Sequence, residues 1–148
     1  MVYLLDTNVV SELRKRKPHQ GVVEWIRGAP EESLFLSVVS VGEIQAGIEI
    51  TREQDPQKAA EIEDWLTDVA QTYNIVPADA PIFRRWAQLM HRRPDHHLED
   101  ALIAATALVR GMTVVTRNVS DFEPFGVPLL DPFRQKALSP VNARPIVS

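Results

Sequence analysis

Residues 2 to 5, Val-Tyr-Leu-Leu, are apolar in direct succession. A strand of that kind has no side fit for water and must be covered on both faces, the condition met inside a parallel sheet between helical layers. Leu34-Phe35-Leu36-Ser37, Asn74-Ile75-Val76-Pro77, Met112-Thr113-Val114-Val115-Thr116 and Val127-Pro128-Leu129-Leu130 are further short strand candidates. Pro128 cannot donate to a ladder, so the last belongs at an edge. Helical patterns separate them. A short helix is expected near 9–14 and others near 19–28 and 39–52. Ile62, Trp65, Leu66, Val69 and Tyr73 form one apolar stripe of a helix opening after Asp55-Pro56. Ile82, Trp86, Leu89 and Met90 mark another, ending before Pro94. Ala101 to Val109 is apolar nearly all round and closed by Gly111, as suits a helix buried on most sides. Alternation of short strands and helices predicts an α/β fold with a parallel sheet.

The chain has 148 residues, enough for one domain with a real core. It has no cysteine, which excludes disulfides and thiolate metal sites. No apolar run approaches the ~20 residues of a membrane span, so no membrane association is expected and the protein reads as cytoplasmic. Sixteen Lys and Arg against twenty Asp and Glu give a net charge of −4, unlike a protein that binds nucleic acid by overall basicity. The charge is uneven, however: Arg14-Lys15-Arg16-Lys17 is a basic run, and Arg84-Arg85 and Arg92-Arg93 are smaller ones.

Four acids fall at special places on this outline. Asp6 ends the first strand, Glu43 lies in a helix among Val39, Val41 and Ile44 and is expected to face inward, Asp100 opens the buried helix, and Asp121 follows the strand ending at Thr116. Strand ends and helix N-termini share one edge of a right-handed βαβ layer, so the four can converge. Clustered carboxylates repel, and oxygen ligands of this type suit Mg²⁺ or Mn²⁺. Each acid also has a plainer role. Asp6 and Asp100 can cap helices, Asp121 and Asn118 can serve a turn, and Glu43 can be a solvated helix position.

The stretches "LLDTNVVSEL", "SVVSVGEIQAGI", "EDALIAATALVRGMTVVTRNVSDF" and "GVPLLDPF" resemble, in order, the motif series of the PIN domain, and more closely the VapC toxins of type II toxin–antitoxin systems, including their FitB-like branch. The resemblance runs from residue 2 to about residue 133, giving a PIN domain over 1–133 and a tail over 134–148. It implies a three-layer α/β/α sandwich with a short central parallel sheet. It further implies Mg²⁺- or Mn²⁺-dependent endoribonuclease activity, an RNA substrate, an antitoxin partner of the VapB or FitA type, and a homodimer. By position, the family's acids fall on Asp6, Glu43, Asp100 and Asp121 as catalytic residues, with Asp6, Asp100 and Asp121 holding metal. Thr7, Thr116 and Asn118 match its supporting polar residues, and Arg14, Lys15, Arg16 and Lys17 are candidates to guide the RNA backbone. "RRPDHHLEDAL" departs from the motif: His96 and His97 are further candidate ligands, and Glu99 is a possible substitute for Asp100. Two rival classes are a non-catalytic PIN-like module that binds RNA or protein, and a Mg-dependent phosphatase-like enzyme. The second wants an Asp two residues after Asp6 and a lysine over the phosphate; Asn8 stands there, and no lysine lies near a motif.

Overall fold

The computed structural model describes residues 1–134, the side chain of His96 excepted, so the expected tail beyond Arg134 lies outside the described residues. Five parallel strands form one sheet: β1 (Tyr3–Leu5), β2 (Leu34–Ser37), β3 (Asn74–Val76), β4 (Thr113–Val115) and β5 (Leu129–Leu130), in the order β3-β2-β1-β4-β5. β1 is central and pairs with β2 and β4 in matched register, Leu5 opposite Leu36 and Val115. β5 is an edge strand, and Pro128 takes part as an acceptor only, its carbonyl bonded to Val114 N–H at 2.9 Å.

Adjacent strand residues point to opposite faces, and the core divides accordingly. Leu4 and Val114 join one cluster with α5 (Ala80–Met90), α6 (Leu98–Arg110) and α7 (Val119–Phe122). Leu5, Leu36 and Val115 join the other with α1 (Thr7–Glu12), α2 (Gln20–Gly28) and α4 (Pro56–Thr72). α3 (Val38–Gln54) and α4 form a hairpin with its own small core of Ile44, Ile48, Ala59 and Leu66. Asp55 joins them, ending α3 and capping α4 through Lys58 N–H at 3.1 Å. The result is the expected α/β/α sandwich.

α6 is the most enclosed helix: Ala101, Ile103, Ala104, Ala105 and Ala107 have no exposed surface. It stops at Gly111, whose φ of 68° provides the left-handed cap that a side chain would strain. Several boundaries differ from the sequence expectation. α1 starts at Thr7 because Asp6 caps it, and the strand expected over 127–130 pairs only at Leu129–Leu130. α6 begins at Leu98, with His96 and His97 in a preceding 3-10 turn (Asp95–His97), so the regular helix that would place His96 on the face of Asp100 is absent there. α7 was hidden from periodicity by its four-residue length.

Ile103→Ala, at a fully enclosed site, is expected to cost about 2–5 kcal/mol in urea unfolding. Ile50→Ala, 67% exposed on α3, should stay within about 0.5 kcal/mol of wild type; equal losses would contradict this placement of the core.

Candidate active site

The chain visits β1, β2 and β3 on one side and then crosses to β4 and β5, so the order reverses between β1 and β4. In open α/β sheets the crevice outside the carboxyl ends at such a point is where ligands bind. Asp6 stands there. Its N–H continues the ladder to Val115 O at 2.9 Å, its carbonyl accepts from Val9 N–H at 3.0 Å, and its carboxylate turns into the crevice. Three donors hold that carboxylate: Thr7 N–H on Oδ1 at 2.8 Å, and on Oδ2 the Thr116 hydroxyl at 2.8 Å and Asn8 Nδ2 at 3.2 Å. Asp6 therefore caps α1 and, at the same time, presents its carboxylate among the clustered acids.

Thr116 is wholly buried one residue past β4, and its Oγ1 also accepts from Asn118 N–H at 2.9 Å. Asn8 Oδ1 accepts from Arg117 N–H at 3.2 Å, so this amide ties the start of α1 to the loop after β4. Thr7 Oγ1 lies 2.9 Å from both Glu43 Oε1 and Ser40 Oγ, which links α1 to the first turns of α3. With a single proton, Thr7 donates to the charged acceptor. Asp100 sits in the first turn of α6, which runs back against β4 and so brings its N-terminus to the same edge. Asp121 lies half-buried on α7, and Asn118 is the exposed residue before it.

The electrostatics report the convergence. Burial raises the pKa of Asp6, its three hydrogen bonds oppose that, and the charge of Asp121 adds to the rise. Burial also raises Glu43, with Thr7 opposing and the charges of Asp6, Glu99 and Asp100 adding. Asp100 is pushed up to about 6, first by burial, then by the charges of Asp6 and Asp121; His97, 3.9 Å away, only partly offsets this. Among the described residues no lysine or arginine pairs with any of the four acids. Nor do three or more His, Asp or Glu side chains there converge tightly enough to hold an ion as they stand. The donor set nonetheless fits a hard divalent cation: carboxylate oxygens, mutually repelling, with no lysine or arginine among the described residues to relieve them.

Glu43 is exposed on α3 rather than turned inward to the core; its carboxyl end meets the site through Thr7 alone. The basic run is an exposed turn between α1 and α2, and it is not uniform. Lys15 is committed to the buried Glu12 at 2.9 Å, which also accepts from His19 N–H. Asn8 and Ser40 were missed as site residues. The i+2 spacing from Asp6 was the available signal for Asn8; Ser40, fully buried in α3, gave none. A larger hollow of about 590 Å³ lies where β2 begins, at the opposite sheet edge, and none of the four acids lines it.

The PIN domain family model matches residues 3–123. The plasmid stability protein StbB of Pseudomonas syringae pv. tomato is 34% identical over 88% of this chain and 97% of its own length. VapC ribonuclease Y4jK of Sinorhizobium fredii is 33% identical over 88% of this chain and 96% of its own. The crystal structure of FitAcB from Neisseria gonorrhoeae superposes with a TM-score of 0.80 at 28% identity, covering 90% of this chain and all of that one.

Asp100 makes the site's strain measurable as pH dependence. Between its ordinary 3.8 and its folded value of about 6 the folded state holds the extra proton, so stability rises as pH falls through 6 and the gain is complete below 3.8. In EDTA, Asp100→Asn should melt higher than wild type at pH 7, on the order of 2 kcal/mol for a side chain 29% exposed, and flatten the dependence above pH 4. A lower melting temperature for Asp100→Asn would make Asp100 a first-turn acid that favours the α6 dipole and nothing more.

Proposed function

This chain belongs to the PIN domain family, on its branch of VapC and FitB toxins, and from that premise we propose that it is a Mg²⁺- or Mn²⁺-dependent endoribonuclease acting as the toxin of a type II toxin–antitoxin pair. The observation that carries the proposal is the buried Asp6 carboxylate, held by Thr7, Asn8 and Thr116 among three further acids with which no lysine or arginine of the described residues pairs. Asp6, Asp100 and Asp121 are the residues to hold the cation. When bound, it supplies Lewis-acid stabilisation of phosphodiester charge and acidifies water. The chain's own groups do the rest. Thr116 and Asn8 fix the Asp6 carboxylate by hydrogen bonds that favour its charged form against burial. Glu43, raised in pKa and oriented by Thr7, is suited to take a proton from attacking water. His97, 3.9 Å from Asp100, favours that carboxylate's charged form when it is itself protonated.

An uncompensated acidic crevice repels a polyanion, so loading with cation should promote RNA binding and chemistry together. The partner on this reading is RNA as substrate and an antitoxin of the VapB or FitA type as inhibitor, with the toxin a homodimer. No helix among the described residues is long and apolar enough to cross a membrane.

Asp6→Asn keeps nearly the same volume and removes one ligand charge. Its cleavage of single-stranded RNA in Mn²⁺ should fall about a hundredfold or more, and wild type in excess EDTA should be inactive. Mn²⁺ at a hundred times its dissociation constant should stabilise wild type by about 2.7 kcal/mol, and Asp6→Asn by much less. Undiminished cleavage by Asp6→Asn would end the assignment.

The toxin role is tested in growing cells. Wild type should arrest growth on expression while Asp121→Ala is tolerated, and co-expression of a cognate antitoxin of the VapB or FitA type should rescue wild type. Equal tolerance of both variants argues against a toxin.

A further inference from the structure

A hollow of about 260 Å³ opens between α1, α3 and α4, where the carboxylates end. Thr7 and Glu43 line the end shared with the site; Arg14, Thr51, Ile62 and Trp65 line the rest. We infer that this hollow is the subsite for the nucleotide flanking the scissile phosphodiester, Trp65 offering a stacking wall to its base and Arg14 a cation to its phosphate. The inference rests on the ribonuclease reading and deepens it.

Three features point to a nucleotide. The first is continuity, since Thr7 and Glu43 belong to both site and hollow, so a strand whose phosphate reaches the acids has its neighbouring residue here. Charge is the second. Arg14 is exposed and makes no ion pair among the described residues, whereas Lys15 beside it is bound to Glu12. The basic run thus delivers its first member, and not its second, to the crevice rim. The third is chemistry. Single-stranded RNA is recognised by bases splayed onto aromatic or guanidinium planes, and the hollow carries one of each in Trp65 and Arg14. Trp65 is half-buried and its Nε1 bonds to no described residue, unlike that of Trp86, which donates to Leu98 O at 3.2 Å.

Gly47 provides the test. It lines the hollow from within α3, and an added Cβ there meets nothing within 4 Å, so the first atom of a new side chain is accommodated and Gly47→Leu places its bulk at the hollow. Kinetics are measured in Mn²⁺ on a short single-stranded RNA and on bis(4-nitrophenyl) phosphate, a diester with no flanking nucleotide. Relative to its own rate on the diester, Gly47→Leu should lose about tenfold or more in kcat/KM on RNA, chiefly through KM. Arg14→Ala, at an exposed turn that will fold in any case, should lower the slope of log KM against log salt by about 0.7. Wild-type RNA kinetics in Gly47→Leu, or an unchanged salt slope in Arg14→Ala, overturns the subsite and leaves the hollow to a protein partner. Failure of wild type to cleave either substrate sinks the nuclease reading, and the subsite with it.

Discussion

The hydrogen bond from the Thr116 hydroxyl to Asp6 Oδ2, 2.8 Å long between residues 110 apart in sequence, ties the site to the sheet. It exists because β1 and β4 pair directly, Leu5 opposite Val115, so that the next residue of each strand emerges at the same edge. The Asp6 N–H bond to Val115 O extends that ladder by one step and fixes the approach. A carboxylate only 5% exposed would ordinarily give up its charge. Here a hydroxyl, an amide and a backbone N–H are arranged to keep it, and two of the three donors come from the two residues after Asp6 itself.

From this point burial falls off across the crevice. Asp6 is enclosed, Asp100 and Asp121 are half-buried and Glu43 is exposed. On the proposed reading the same gradient separates the roles. An enclosed charge, fixed by several bonds, cannot move and would serve as a fixed ligand. An exposed one tethered through Thr7 retains access to water and would serve proton transfer. The α6 N-terminus lies toward Asp100, and its dipole favours the charged form. The rise of Asp100 to about 6 follows because burial and the neighbouring acids outweigh His97. On the proposed reading it is this repulsion, rather than a preformed cage, that would draw a cation. The alanine-lined packing of α6 supplies the rigidity that keeps these charges together.

Much of this was legible in the sequence because the informative signals were local. Successive apolar residues gave the buried strands, Asp55-Pro56 and Gly111 gave helix ends, and Pro128 gave the edge. The four acids stood out by position, at strand and helix termini. What was not legible depended on tertiary distance. Ser40 is buried against Thr7 because β2 is adjacent to β1, which no pattern in α3 announces. Glu43 was expected inward because its neighbours are apolar, yet α3 buries Ile44 and Ile48 against α4 and leaves Glu43 exposed beside them, at the rim facing Thr7. The basic run read as one feature, but the buried Glu12 claims Lys15 and divides it.

Glu12 shows how tightly the short α1 is used. Burial works against its charge, but Lys15, the His19 N–H and the nearby Arg117 more than offset it and hold its pKa below the usual range. That anchor pins the far end of a six-residue helix whose near end is capped by Asp6. Between the two anchors, Thr7 reaches α3, Asn8 reaches the loop after β4, and Val9 and Val10 are sealed in the core. A helix this short has little stability of its own and holds its register only through such ties. Rotating it by one residue would bury Asn8 in place of Val9 and withdraw Thr7 from Glu43. Arg14, at the turn that leaves this helix, is therefore set at a fixed distance from the carboxylates by the same contacts that shape the site.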